Sequence, residues 1–178
     1  MPDPYKIIEK FYPYGTESFH ILINHSELVR DKALEIACKK PEFGADKEFL
    51  SEAAMLHDIG IYLCYAPDIK CFGTHPYVEH GFLGAEILRS LGFPKHALVC
   101  ERHTGTGITK QSILERNLNI PPRDMLPLSI EEQIICYADK FFSKSHSEPN
   151  NVENIKNDLA RFGVEQVKRF EKWQEKFD

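Results

Sequence analysis

The chain has 178 residues, of which 42% are hydrophobic and 28% charged, and a formal net charge of -5. That length accommodates one domain with a real core and is short for two, and the acidic balance gives no general pull toward nucleic acid or an anionic membrane. No apolar run approaches the ~20 residues that span a bilayer, and the opening Met1-Pro2-Asp3-Pro4-Tyr5-Lys6 lacks the basic-then-apolar pattern of an export signal.

Five cysteines, Cys38, Cys64, Cys71, Cys100 and Cys136, form an odd set with no Cys-x-x-Cys pair. They read as reduced thiols, small buried hydrophobes in a cytoplasmic protein, and not as a disulfide framework or a zinc knuckle.

In chain order, Pro4 to Tyr12 suits a short leading helix, broken by Pro13 and Gly15. Thr16 is an N-cap candidate for a long helix to about Lys39, whose apolar stripe includes Leu22, Val29 and Ile36. His25 falls on that stripe, where a histidine reads either as a hydrogen-bonded core residue or as a metal ligand. Pro41-Glu42-Phe43-Gly44 is a break, and Asp46 through Asp58 is a second helix. Leu50, Ala53 and Ala54 share a face with His57, and Gly60 is placed to close the helix in the left-handed conformation.

Ile61 to His75 has little periodicity and reads as a long connection over the site. Pro76 suits the first turn of a helix to about Leu91, with His80, Gly84, Ile87 and Leu91 on one face. Gly84 costs about 1 kcal/mol against alanine there, which points to a close approach by a neighbouring element. Pro94 to His103 is the next helix, with Val99 one turn before His103, and Thr104-Gly105-Thr106-Gly107 follows at once.

Thr109 to about Leu118 is expected to be helical, and Ile120 to Leu128 extended. Ser129, with Glu132 three residues on, opens another helix on which Ile135, Asp139 and Phe142 share a face. Asp139 therefore points inward, where a carboxylate needs a partner or a metal. Ser143 to Asn151 is polar and turn-rich. The tail carries Val152, Ile155, Leu159 and Phe162, then Val164, Val167, Phe170 and Phe177, two amphipathic helices hinged at Gly163. No segment reads as a convincing strand.

His25, His57, Asp58, His80, His103 and Asp139 thus come inward from five helices. One buried histidine is ordinary. Four histidines and two aspartates in one core are hard to satisfy by hydrogen bonds alone, whereas two divalent metals sharing Asp58 satisfy them together. Nitrogen and oxygen donors without thiolate suit iron first, with manganese, zinc, nickel or magnesium as alternatives.

These residues and their flanks resemble the HD-domain superfamily of metal-dependent phosphohydrolases, in its His-Asp-Ile-Gly branch. The matching pieces are His25-Ser26-Glu27-Leu28-Val29, Leu56-His57-Asp58-Ile59-Gly60, Glu79-His80-Gly81 through Leu88, Glu101-Arg102-His103-Thr104-Gly105, and Tyr137-Ala138-Asp139-Lys140. The resemblance spans about residues 18 to 145. It implies an all-α helical bundle, one HD domain over 1–178 with an extension at 151–178. It also implies one metal on His25, His57, Asp58 and Asp139, and a second on Asp58, His80 and His103. The six-ligand pattern is similar to that of the HD-type diadenosine tetraphosphate hydrolases. His80 has the family's spacing to Gly84-Ala85, so His75 reads as a loop or substrate residue. His20, His96 and His146 read as ordinary histidines.

The implied chemistry is hydrolysis of a small phosphorylated substrate, a nucleotide by preference, by a metal-activated water, with Asp58 as the bridging ligand on which catalysis depends. Lys140 and Thr104 are candidates to hold phosphate oxygens, although Lys140 also reads as a solvated helix lysine. No basic stripe with interleaved aromatics suggests long nucleic acid as partner. A diiron oxygenase using the same ligands and a non-catalytic ligand-binding module are the competing readings.

Overall fold

The computed structural model describes residues 3–145 and 148–178, so His146 lies outside the described residues. It is built almost wholly from helices. The first, α1 (Pro4–Ile8), is capped by Asp3. The long helix α2 (Glu17–Lys39) opens on Thr16, whose hydroxyl accepts the Phe19 N–H at 3.2 Å. Asp46 caps α3 (Lys47–Leu56) by accepting from Glu48 N and Phe49 N, both at 3.1 Å. Each cap satisfies donors that the first helical turn leaves open.

The connection after α3 is more ordered than its composition suggests. A short 3-10 helix (Ile59–Leu63) leads into two-residue strands, β1 (Tyr65–Ala66) and β2 (Cys71–Phe72), paired antiparallel with Tyr65 opposite Phe72. No strand is expected from the sequence here, because two residues are too few to show an alternating pattern. A second correction concerns Gly60, which lies inside the 3-10 helix and not at a left-handed helix end. A Cβ on Gly60 would overlap the His80 carbonyl oxygen and the Gly84 backbone nitrogen, so glycine serves close packing there.

After a 3-10 turn (Tyr77–Glu79), α4 (His80–Ser90) begins at His80, four residues later than Pro76 suggests. Gly84 on α4 is the point of close approach expected of it: a Cβ would lie 2.5 Å from Cys100 Sγ and 2.9 Å from Gly60 N. Next come α5 (Pro94–Arg102) and α6 (Lys110–Glu115). The latter stops short of Leu118, with Asn117 at φ 50° just beyond it. Ser129 caps α7 (Ile130–Asp139) by accepting Glu132 N at 3.1 Å. The Glu132 carboxylate accepts from Leu128 N at 2.7 Å and pairs with Arg102 at 2.9 Å, instead of closing back on Ser129 N.

The tail forms α8 (Val152–Ala160) and α9 (Val164–Phe177), joined across Gly163. The apolar stripe of α9 covers α7: the Tyr137 ring lies 5.1 Å from Phe170 and 5.5 Å from Phe177. Phe170 is fully buried among Val29, Ala33, Ile134 and Trp173. A second apolar cluster, including Ile8, Leu22, Leu56, Ile59 and Leu88, knits α1 to α2, α3, α4 and α5. The ligand candidates lie where these clusters meet. Among the described residues no helix is long and apolar enough to cross a membrane. Cys64, Cys71, Cys100 and Cys136 are buried free thiols, while Cys38 is exposed on α2.

Candidate metal centre

Four elements end at the site and a fifth passes it. His25 projects from the middle of α2. His57 caps α3 and Asp58 follows it, His80 opens α4, His103 caps α5, and Asp139 is the last residue of α7. Helix ends bring side chains together without burying unsatisfied backbone deep in the bundle, and all six side chains are buried.

Asp58 is the centre of the arrangement, and its two oxygens face different partners. Oδ2 lies 3.2 Å from His25 Nε2 and 3.1 Å from His57 Nε2, while Asp139 Oδ1 is 3.0 Å from that same His25 nitrogen. Oδ1 lies 3.3 Å from His80 Nε2 and 3.2 Å from His103 Nε2. The donor atoms therefore fall into two groups, His25, His57, Asp58 and Asp139, and Asp58, His80 and His103, each drawn within 4.8 Å.

Three of the histidines have a tautomer fixed by the backbone. Nδ1 of His57 sits 2.6 Å from the Ala54 carbonyl, Nδ1 of His80 2.6 Å from that of Tyr77, and Nδ1 of His103 2.7 Å from that of Cys100. A carbonyl only accepts, so each Nδ1 carries a proton and each ring, when neutral, presents a bare Nε2 to the centre; for His57 that requires the loss of its second proton. The consequence is sharpest between His80 and His103, whose Nε2 atoms face each other at 3.0 Å. Two lone pairs at that distance repel unless a cation lies against them. His25 Nδ1, also buried, lacks a hydrogen-bond partner. Buried polar atoms are nearly always satisfied, and divalent ions are what this donor set is fitted to receive.

The electrostatics agree. Burial by itself would lower the basicity of His57, but Asp58 and Asp139 together overcome it and push the imidazole up to about 9. Burial prevails at His103, pushed down to about 4 despite Asp58. Burial would raise both carboxylates, yet His57, Lys144 and His103 hold Asp58 well below the usual range, and Lys140, His25 and His57 do the same for Asp139. Both aspartates are thus anionic, as ligands must be.

The expected phosphate-holding residues also lie here. Lys140 Nζ donates to Asp139 Oδ2 at 2.7 Å and to the His103 carbonyl at 3.2 Å, so it is not a solvated helix lysine. Thr104 lines a cavity of about 260 Å³ beside His80 and His103, whose far wall includes Val78, Ile108, Arg116 and Phe162. A wider cleft of about 560 Å³ opens on the other side past Tyr65, Ile69 and Asn150. Tyr77, Gly105, Asp139, Lys140, Lys144 and Phe162 line both.

His75 stands apart, its Nδ1 2.8 Å from Glu79 Oε2 and its side chain 41% exposed. His20 is exposed, and His96 pairs with Glu52 at 3.1 Å. Two features escape sequence reasoning. Lys144, in the turn-rich stretch after α7, places Nζ 2.6 Å from Asp58 Oδ2; with no helical period there, nothing in the sequence aims it inward. The C-terminal helices also reach the site. The Gln166 side chain accepts from Thr106 N at 2.6 Å and donates to the Gly107 carbonyl at 2.7 Å, bracing the loop behind His103.

The HD domain family matches residues 22–143, and the chain belongs to that family. The clustered His and Asp residues described above could bind divalent metals, as in HD domains. The chain is similar to the protein MJ0778 of Methanocaldococcus jannaschii, 41% identical over 121 residues, which make up 66% of this chain and 64% of that protein. It is also similar to the tRNA (cytidine(56)-2'-O)-methyltransferase of Thermoplasma volcanium, 31% identical over 144 residues, 80% of this chain and 37% of that enzyme. The chain therefore spans less than two thirds of the first relative and little more than a third of the second. Among solved structures, the HD domain of the L. monocytogenes phosphodiesterase PgpH superposes with a TM-score of 0.53 at 17% identity, covering 97% of this chain and 95% of that one. The same domain in complex with cyclic-di-AMP gives 0.54 at 19%, covering 97% and 94%. At these identities the likeness establishes the fold.

Proposed function

We propose that this chain is a metal-dependent phosphohydrolase acting on a small phosphorylated compound, a nucleotide by preference, at a dinuclear centre. The observation that carries the reading is the pair of bare Nε2 atoms of His80 and His103 facing each other across 3.0 Å beside Asp58 Oδ1. A four-residue group alone would serve one ion; these two histidines add a second group that shares the same carboxylate. In this reading His25, His57, Asp58 and Asp139 hold one ion, and Asp58, His80 and His103 the other. Iron is the first candidate, with manganese, zinc, nickel and magnesium behind it. Such a pair supplies an activated water and charge neutralisation for a phosphoryl group.

The chain's own groups do the rest. The Nδ1–carbonyl bonds of His57, His80 and His103 keep each imidazole turned toward the centre. Lys140, held by Asp139 and the His103 carbonyl, keeps positive charge at the rim, with Lys144 and Arg116 lining the adjoining cavity. Those cations suit phosphate oxygens. Val78, Ile108 and Phe162 give the same cavity an apolar wall for an attached base or other organic group. The PgpH domain, a neighbour in fold, binds a cyclic dinucleotide, which accords with a nucleotide ligand. As proposed, residues 1–178 act as one HD domain, to which the turn after α8 contributes Phe162 and α9 contributes Gln166.

The test is phosphate release by metal-loaded protein from a panel of nucleotides, dinucleoside polyphosphates and a short oligoribonucleotide, with metal content measured alongside. The oligoribonucleotide belongs in the panel because one similar chain lies within a protein called a tRNA methyltransferase. Turnover of a small compound, abolished by chelation, is the expected result. Inertness toward every phosphate compound, together with oxygen consumption on an organic substrate, would establish the oxygenase reading instead. Inertness in both assays would leave a ligand-binding module.

A further inference from the structure

Lys144 places its Nζ 2.6 Å from Asp58 Oδ2, the oxygen that also faces His25 and His57 at 3.2 and 3.1 Å. Its ammonium therefore sits within the first donor group. An ammonium has no lone pair and cannot ligate; it can only compensate the carboxylate and oppose the approach of another cation. The second lysine of the centre, Lys140, is differently held, because the His103 carbonyl anchors it in addition to Asp139. The neutral phenol of Tyr77 also lies against Lys144.

Lys144 also has somewhere to go. It lies outside any helix, in the stretch between α7 and α8, on a flexible four-carbon stem. It lines the cavity beside Arg116 and Phe162, the cleft beside Tyr65, and a third hollow beside Asn24 and Asp31. Three openings thus converge on one side chain that is 12% exposed.

Resting on the metal-centre reading above, we infer that Lys144 is a resident counter-cation: its ammonium neutralises Asp58 in the metal-free chain and is displaced into the adjoining cavities when divalent ions bind. Metal loading then does two things at once. It fills the donor groups, and it delivers a lysine to the cavity wall, where a phosphate oxygen can meet it. The metal-free centre is protected from collapse, at the cost of a weaker apparent metal affinity.

The experiment measures Mn²⁺ binding calorimetrically for the wild type, Lys144→Gln and Lys144→Arg, and in parallel labels wild-type amines with an N-hydroxysuccinimide ester, with and without Mn²⁺. If the lysine leaves Asp58 about a tenth of the time, removing it tightens apparent affinity about tenfold. Lys144→Gln is expected to show that gain, and Lys144→Arg, which keeps the charge, to stay near the wild type. Labelling of Lys144 is expected to speed up several-fold on Mn²⁺ addition while Lys140 stays slow. Unchanged or weaker Mn²⁺ binding by Lys144→Gln, or labelling indifferent to Mn²⁺, overturns the role of Lys144 and leaves the metal centre standing. A wild type that binds no Mn²⁺ or Fe²⁺ overturns the metal centre and this inference with it. Should Lys144→Gln fail to fold, the wild-type labelling decides.

Discussion

His80 Nε2 and His103 Nε2 lie 3.0 Å apart, with both Nδ1 protons already committed to the carbonyls of Tyr77 and Cys100. Neither ring can donate to the other while both are neutral, so the contact has no favourable form without a cation. The pair is therefore expected to be the half of the centre most easily emptied by mutation. His103→Ala should reduce bound metal from two equivalents to one, as read by elemental analysis after gel filtration. Two equivalents retained in that variant would remove His103 from the ligand set.

The pH dependence of metal-free stability follows from three groups whose ordinary values the site displaces. His57, raised to about 9, contributes stability that is complete below its unfolded value near 6.5 and is lost as pH rises through about 9. His103, lowered to about 4, works in the other direction, since the unfolded chain takes up a proton between about 6.5 and 4 that the folded chain refuses. Asp58, held low, adds a further loss in stronger acid, below the usual carboxylate range. Thermal midpoints of chelated protein should therefore peak near pH 6.5 and fall on both sides. The alkaline arm is on the order of 3 kcal/mol and should vanish in His57→Gln. An alkaline arm of equal size in that variant would mean another group is responsible.

Metal should erase that alkaline arm. The ion needs His57 Nε2 without its proton, so binding near neutral pH expels the proton that Asp58 and Asp139 otherwise hold on the ring. Calorimetry of Mn²⁺ binding in buffers of different ionisation enthalpy is expected to report proton release approaching one equivalent from His57 at pH 7.5. Enthalpies that do not vary with buffer would contradict it.

Gly60 and Gly84 let the turn after Asp58 touch α4 at His80. A Cβ at Gly60 meets the His80 carbonyl and Gly84 backbone, which are main chain and cannot swing aside. Gly60→Ala is expected to destabilise by about 3 kcal/mol or more, at or above the upper end of ordinary overpacking, because backbone must move. It should also loosen the second metal group by shifting His80. Denaturant midpoints and metal stoichiometry check the two effects separately.

The contrast between these residues shows what a sequence of this kind discloses. His25, His57, Asp139 and the apolar stripes beside them lie on helices, where a fixed period turns spacing into direction. Their convergence is legible for that reason, as is the packing of the tail through Phe170. The His-Asp-Ile-Gly stretch is equally plain, but the role of Gly60 is not: its left-handed conformation is a local guess, and the close contact with α4 is tertiary. Lys144 and the strands β1 and β2 lie in segments without a period, where only the folded chain decides which side chain turns inward. Gln166 escapes for a related reason. A glutamine on an amphipathic helix looks like solvent-facing polarity until the loop it grips, Thr106 to Gly107, is in place.

Asp58 offers the sharpest test, because two different penalties follow from its removal and they can be separated. In Asp58→Asn both donor groups lose their shared anion, so metal binding and turnover should disappear together. The same change leaves the Lys144 ammonium without its carboxylate. A lysine that leaves Asp58 about a tenth of the time loses about 1.4 kcal/mol when the carboxylate goes, so the metal-free single variant should melt below the wild type. Adding Lys144→Met removes the stranded charge. The double variant is therefore expected to recover much of that stability while recovering no metal binding, a coupling that a double-mutant cycle reads directly. If Asp58→Asn retained both ions, the carboxylate would not be the bridge. If Lys144→Met lowered the stability of Asp58→Asn further, the lysine's contribution to the metal-free fold would come from packing of its stem and not from its charge on Asp58.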